Sequence, residues 1–208
     1  MKVLLVNGSP HEKGCTYTAL CEVEKELLKN GIETEIFNIG TEPVAGCRGC
    51  GGCSKTDGRC VFDGDIVNTL IEKAKTADGF VFGSPVHYAS PAGALLTVLD
   101  RAFYAGSSAF AYKPGAAVVS CRRAGSTASL DCLNKYFTIN NMPVVSSGYW
   151  NMVHGAKPED VLQDGEGLQI MRTIGKNMAW LLKCLEAGRK SGIELPEAEP
   201  RIRTNFIR

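Results

Sequence analysis

Several absences narrow the field before any motif is read. The sequence has no apolar run of the roughly 18 residues that a membrane-spanning helix needs. It has no basic stretch followed by an apolar one at its start, the pattern of a secretory leader. Neither charge sign is in excess: 23 Lys and Arg stand against 22 Asp and Glu, a net +1, so there is no electrostatic footprint for nucleic acid. Two familiar phosphate signatures are missing, the Gly-Lys-Ser/Thr of a P-loop and the G-x-G-x-x-G of a dinucleotide fold. Histidine is scarce, with three in the chain. A lone loop histidine such as His87 or His154 is usually a hydrogen-bonded structural residue, so no side chain is assigned a catalytic role. Together these absences predict a soluble, cytoplasmic protein without nucleic-acid or membrane partners.

Cysteine, by contrast, is abundant. An odd count of nine, four of them within residues 47–60, argues against a secreted disulfide framework and for reduced thiols, some of them binding metal. Cys47, Cys50, Cys53 and Cys60 read C-x2-C-x2-C-x6-C, with Gly46, Gly49, Gly51 and Gly52 interleaved. Consecutive x2 steps let three thiolates converge on one centre, and the fourth returns after Gly58. Three readings remain open here: an iron–sulfur cluster, a zinc ion, or reduced thiols that bind nothing. Cys15, Cys21, Cys121, Cys132 and Cys184 are scattered on helices or loops, and most of them read as small core residues.

Hydrophobic periodicity alternates between strand and helix. It predicts strands over residues 2–6, 33–39, 79–82, 116–120 and 143–146, and helices over 16–29, 65–75, 91–105, 126–140 and 169–185. Strands that are apolar throughout and separated by helices imply a parallel sheet covered on both faces. The expected architecture is a doubly wound α/β domain, a five-stranded parallel sheet in the order 2-1-3-4-5 over residues 1–189, with a cysteine-rich loop at 46–61 and a tail at 190–208. Asp63 to Asp65, and the acidic run Asp160, Asp164 and Glu166, read as helix starts.

Ligands of such a fold sit beyond the carboxyl ends of the strands. The first of those loops, from Asn7 to Thr18, joins a buried strand to a helix N-terminus. Backbone N–H groups, the helix dipole and the hydroxyls of Ser9, Thr16 and Thr18 converge there, which suits a phosphomonoester such as that of FMN. The loop after the third strand, Ser84, Pro85, Val86, His87 and Tyr88, is stiffened by proline. Its N–H groups at Val86, His87 and Tyr88 are suited to the edge of a flat heteroaromatic ring, and Tyr88 to its face; the bland alternative is a rigid turn on which Tyr88 simply packs. Arg122 and Arg123, on the loop after the fourth strand, suit the 2′-phosphate of NADPH, an anionic acceptor, or a salt bridge to a partner.

The Gly8-Ser9-Pro10…Gly14-Cys15-Thr16 turn followed by Gly83-Ser84-Pro85-Val86…Tyr88 resembles the NADPH-dependent FMN reductase family of flavodoxin-like proteins. The cysteine loop and the segment Tyr149 to Gly155 resemble its iron–sulfur flavoprotein branch. The resemblance implies that Ser9, Pro10, Cys15, Thr16 and Thr18 hold the FMN phosphate, Cys15 through its backbone because relatives carry Asn or Ser there. It implies that Ser84, Pro85, Val86, His87 and Tyr88 hold the ring and that Cys121, Arg122 and Gly125 border it. It implies a [4Fe–4S] cluster on Cys47, Cys50, Cys53 and Cys60, NAD(P)H as electron donor, small-molecule or protein acceptors, and a homodimer or homotetramer. The expected activity is therefore that of an FMN-dependent oxidoreductase. The other classes considered are a non-enzymatic flavodoxin-like electron carrier and a non-redox module that binds a phosphate ligand or zinc.

Overall fold

Strands with apolar residues on both faces need two layers of cover, and the chain supplies them. The computed structural model describes residues 1–200, 202–204 and 206; the other four residues of the expected tail, Arg201, Asn205, Ile207 and Arg208, lie outside the described residues. Strand β1 (Lys2–Asn7) is followed by α1 (Cys15–Lys29), β2 (Glu33–Asn38), α2 (Ile66–Thr76), β3 (Gly79–His87), β4 (Ser90–Pro91) and α3 (Gly93–Gly106). The chain continues through β5 (Gly115–Cys121), α4 (Ser126–Ile139), β6 (Met152–His154), the short α5 (Pro158–Val161) and α6 (Gly165–Lys190). The sheet order is β2-β1-β3-β5-β6, all parallel, so the expected doubly wound, flavodoxin-like class is found. A sixth strand departs from the expectation: the two-residue β4 turns back antiparallel on the end of β3. Among the described residues no helix is long and apolar enough to cross a membrane.

The period of two along each strand divides the interior into two cores. Leu4, Val6, Phe80, Phe82, Ala117 and Val119 face α2, α3 and α4, whereas Val3, Leu5, Val81, Ala116 and Val118 face α1 and α6. On the first face Phe80, Phe82, Phe103, Phe110 and Phe137 form one cluster, with ring centroids 4.5–6.1 Å apart. The four fully buried rings contribute about 1.5–3 kcal/mol each of burial free energy, and the half-buried Phe103 less. On the second face α6 lies directly on α1: a Cβ at Gly175 would stand 2.7 Å from Glu26 Cβ.

Three boundaries differ from expectation for identifiable reasons. Residues 143–146 do not form the fifth strand. Val145 donates to Gly115 O and Gly115 donates to Pro143 O, a single bridge, and the chain then leaves the sheet. Pro143 has no N–H with which to extend a ladder. The excursion over 146–151 closes on itself, with Ser147 Oγ bonded to Tyr149 O and Asn151 Oδ1, and the sheet resumes as β6. Helix α3 starts at Gly93 rather than Pro91, because Pro91 belongs to β4. Helix α6 is longer than expected and begins at the Asp164 cap, whose carboxylate accepts the Gly167 N–H at 2.9 Å. Asp160 in turn accepts the N–H groups of Ala156 and Lys157, so the acidic run marks helix starts. Beyond Lys190, residues 193–200 carry neither helix nor strand.

Candidate functional site

The turn after β1 is built on a side chain that the sequence presents only as the strand's end. Asn7 is fully buried. Its amide donates to Glu12 O at 3.1 Å and to Asn38 Oδ1 at 2.8 Å, while its carbonyl accepts the Ser9 N–H at 3.2 Å. An Asn directly after a strand that bonds the backbone two residues on is a recognisable turn signal, and it was available in the sequence. Gly8 lets the turn lie flat on β3: its N–H donates to Gly83 O at 2.8 Å, and a Cβ there would meet that oxygen at the same distance.

This turn delivers the chain to α1 with its N-terminus open. Gly14 caps the helix without a side-chain hydrogen bond, and the N–H groups of Cys15, Thr16 and Tyr17 find no acceptor among the described residues. The starts of α2 and α6, by contrast, are closed by Asp65 and Asp164. Ser9 Oγ accepts the His11 N–H at 3.1 Å, which leaves its own proton free. Three aligned N–H groups, a free hydroxyl and the positive end of a 15-residue helix fit a phosphate. Of the other hydroxyls, Thr16 Oγ1 is buried and shares a hydrogen bond of 2.8 Å with Ser120 Oγ in which either can donate, and Thr18 Oγ1 donates to Gly14 O at 3.1 Å. Cys15 turns its thiol toward Gly155 O at 3.7 Å, and burial pushes that thiol's pKa up, with Asp160 and Glu159 adding to the effect. Only its backbone is therefore offered to an anion. Pro10, exposed, and Cys15 line a cleft of about 500 Å³ that runs to Pro158.

The segment expected as a loop after a strand ending at Phe82 instead continues β3 to His87 and turns back as a hairpin. Val86 pairs with Pro91 and His87 with Ser90, so this backbone is part of a ladder rather than a free loop. The two residues of the turn, Tyr88 and Ala89, have φ of 50° and 58°. Both central positions of such a turn need positive φ, which Asn-Gly supplies easily and Tyr-Ala does not; the penalty is about 1–2 kcal/mol per residue. Strain of this kind collects at functional sites. Tyr88 is fully exposed and packs on nothing, contrary to the bland reading of this turn. Ser84 is fully buried, and its hydroxyl accepts the Ala92 N–H and donates to Pro85 O, both at 2.9 Å, so its side chain faces inward.

The loop after β5 closes the group. Gly125, at φ 91°, lies so near the hairpin that a Cβ there would stand 2.6 Å from Ala89 Cα. Pro85 is in register with Ser120, which touches Thr16. The three loops therefore meet at the carboxyl ends of β1, β3 and β5. Cys121 is buried with Sγ 3.5 Å from His154 Nδ1, and burial pushes its pKa up, so it too offers backbone only. Arg122 and Arg123 are exposed and make no ion pair among the described residues.

The cysteine loop, Cys47 to Cys60, lies on the α2–α3 side, its one regular turn a 3-10 segment at Gly52–Lys55. Cys47, Cys50, Cys53 and Cys60 line one cavity of about 150 Å³ together with Phe62, Arg101 and Tyr104. Among the described residues no three Cys, His, Asp or Glu side chains are drawn together at metal-binding distance, and all nine cysteines are free thiols. The loop is held firmly at one end. Asn68, buried, accepts the Cys60 N–H at 2.8 Å and donates to Cys60 O at 2.9 Å. Arg101 reaches Cys60 Sγ at 3.4 Å. Cys47 and Cys50, at the other end, are exposed. Thiolates are the ligands that zinc and iron–sulfur centres take, so the chemistry of the four residues around this cavity fits such a centre, although their spacing here does not close one. Neither Asn68 nor Arg101 was singled out by the sequence; the available signal was a charged residue on the buried stripe of α3, among Leu95, Val98, Leu99 and Ala102. Of the five scattered cysteines, most of them expected in the core, Cys121 alone is buried; Cys15, Cys21 and Cys132 are half-buried and Cys184 is exposed.

Comparison with known proteins gives the family and the fold. The family model for NADPH-dependent FMN reductase matches residues 1–157. An iron–sulfur flavoprotein of Methanocaldococcus jannaschii is 30% identical over 194 residues, covering 89% of this chain and 100% of that protein. An iron–sulfur flavoprotein of Methanosarcina thermophila is 29% identical over 196 residues, covering 91% and 99%. Among solved structures, an NAD(P)H:quinone oxidoreductase from Methanothermobacter marburgensis superposes with a TM-score of 0.66 over 86% of this chain and 96% of that one; at 16% identity it shows the shared fold.

Proposed function

The chain belongs to the NADPH-dependent FMN reductase family and is an FMN-dependent oxidoreductase, and we propose that it takes electrons from NAD(P)H and that its cysteine loop would hold a [4Fe–4S] cluster. The observation that carries the flavin reading is the open N-terminus of α1 beside the free Ser9 hydroxyl, at the point where the three loops meet. The N–H groups of Cys15, Thr16 and Tyr17 and the Ser9 hydroxyl hold the phosphate. The hairpin from Pro85 to Tyr88 and the backbone from Arg122 to Gly125 border the ring. Bound FMN supplies hydride acceptance and one-electron release, which no side chain provides. The protein's part is to fix the phosphate, present rigid backbone to the ring through the Tyr88–Ala89 turn, and leave a cationic rim at Arg122 and Arg123 for an anionic donor such as NADPH.

Cys47, Cys50, Cys53 and Cys60 are the residues that would hold the cluster, which supplies single-electron transfer. Four thiols lining one cavity support this reading, as does the likeness to iron–sulfur flavoproteins. The unpaired thiols suit a reducing cytoplasm. The exposed Tyr149–Trp150 pair and the segment after Lys190, with Ile193 and Leu195 exposed, suit contacts within a homodimer or homotetramer.

The test is a visible spectrum of protein purified without oxygen, with iron, sulfide and zinc assayed on the same sample. Flavin bands on a broad shoulder with about four iron per chain support the full proposal. Flavin bands without iron leave an NAD(P)H-driven flavin or quinone reductase, and a colourless protein that takes up no FMN overturns the site assignment.

A further inference from the structure

Arg101 is the most deeply buried charged residue among the described residues, at 2% exposure. Its guanidinium lies beneath the cysteine loop rather than reaching for water. Nη1 donates to Ala45 O at 3.2 Å and to the Asp65 carboxylate; Nη2 donates to Phe62 O at 2.9 Å and to Cys60 Sγ at 3.4 Å. Ala45 precedes Cys47 and Phe62 follows Cys60, so one planar fork ties together both ends of the loop. Asp65 is also the cap of α2, which anchors the fork to the fold. Nε is buried without a partner. The charge also lines the cavity shared by all four thiols.

We propose that Arg101 is a positioning residue for the centre held by these cysteines: it fixes Cys60 as the anchored member of the thiolate set and, through its buried positive charge, favours the reduced state of that centre. The inference rests on the reading that Cys47, Cys50, Cys53 and Cys60 carry an iron–sulfur cluster. The physics is direct. Reduction adds negative charge; Asp65 offsets part of the guanidinium's charge from the Nη1 side, but the Nη2 end turned to Cys60 Sγ is the positive one, and this donor to sulfur stabilises the added charge. A lysine keeps the charge but not the fork.

The experiment uses the full chain, wild type beside Arg101→Gln and Arg101→Lys, purified without oxygen, with iron, sulfide and FMN counted for each. A redox titration followed by the cluster's spectrum gives the midpoint. Arg101→Gln is expected to lower the ratio of reduced to oxidised cluster at a given potential about tenfold, a shift of about 59 mV to more negative potential for one electron, with FMN content unchanged. Arg101→Lys is expected to bind Co(II), the probe for the metal-free thiols, about tenfold more weakly than wild type. An Arg101→Gln protein that keeps its iron and titrates at the wild-type potential overturns the proposal. Should that variant not fold, Arg101→Lys decides, and Co(II) affinity and iron content equal to wild type overturn it. A wild-type protein free of iron and sulfide removes the cluster reading and this inference together; an intact wild-type cluster with unmoved variants removes the inference alone.

Discussion

Replacing Gly125 by alanine tests whether the hairpin and the start of α4 are locked together. Two separate penalties act at this position. The first is conformational: φ is 91°, a region that costs an alanine about 1–2 kcal/mol. The second is steric. The new Cβ would stand 2.6 Å from Ala89 Cα and 2.9 Å from Val86 Cγ1. Ala89 Cα is backbone, in a turn already held at positive φ, so it has little room to yield; overpacking of this kind costs about 1–3 kcal/mol. The expected destabilisation is therefore about 2–5 kcal/mol. Two comparators separate the penalties. Gly31 has φ of 75° and nothing within 4 Å of an added methyl, so Gly31→Ala reads the conformational part alone. Gly148 has neither feature, and Gly148→Ala is expected to stay within about 0.5 kcal/mol of wild type. The assay is urea unfolding of all four proteins with a common slope, followed by FMN titration of the folded ones. Gly125→Ala no less stable than Gly31→Ala would refute the contact between the two loops. Gly125→Ala with wild-type FMN affinity would refute the placement of the ring against them.

The remaining predictions concern the phosphate, the cysteines and the pH dependence. Ser9→Ala removes one charge-assisted hydrogen bond of about 1.5–3 kcal/mol and is expected to weaken FMN binding by one to two orders of magnitude; unchanged affinity in a fluorescence titration removes Ser9 from the site. Thr16→Val strands the buried Ser120 hydroxyl and is expected to lower stability by about 1–3 kcal/mol, read from the urea midpoint, with a smaller effect on FMN affinity than Ser9→Ala. Cys50→Ala is expected to abolish iron retention while leaving FMN in place, and equal iron per chain in the variant dismisses the cysteine loop as the ligand set. Glu35 is bonded by Lys2 and Lys73, and these bonds hold its pKa below the usual 4.5. Its stabilising contribution is therefore complete above about pH 4.5 and lost as pH falls through the lower folded value. Glu35→Gln is expected to cost roughly 0.3–1 kcal/mol at neutral pH and nothing at strongly acid pH; a constant difference in unfolding midpoint across that range contradicts the assignment.

Local sequence determined the layers of this protein. Alternating and continuous apolar residues such as Val3–Val6 and Phe80–Phe82 specify buried strands, because a period of two on both faces leaves no other way to hide them. The Asp65 and Asp164 caps and the turn from Asn7 to Gly14 were legible for the same reason: a side chain bonding a backbone two or three residues away is a short-range device. What only the tertiary structure decided is which groups are free. Thr16 and Ser9 look alike in sequence, yet Thr16 is buried and bonded to Ser120, 104 residues away, whereas Ser9 bonds only within its own turn, to the His11 N–H. Residues 143–146 look like a strand, and residues 152–154 form it instead, because strand pairing depends on which segment lies in register beside β5. Arg101 reads as a misplaced charge on a buried helix face until Ala45, Cys60, Phe62 and Asp65 gather round it from two other parts of the chain. Local patterning is set by neighbours along the chain and can be read there; the partner of a hydroxyl or a guanidinium is set by neighbours in space, and those exist only once the sheet has formed.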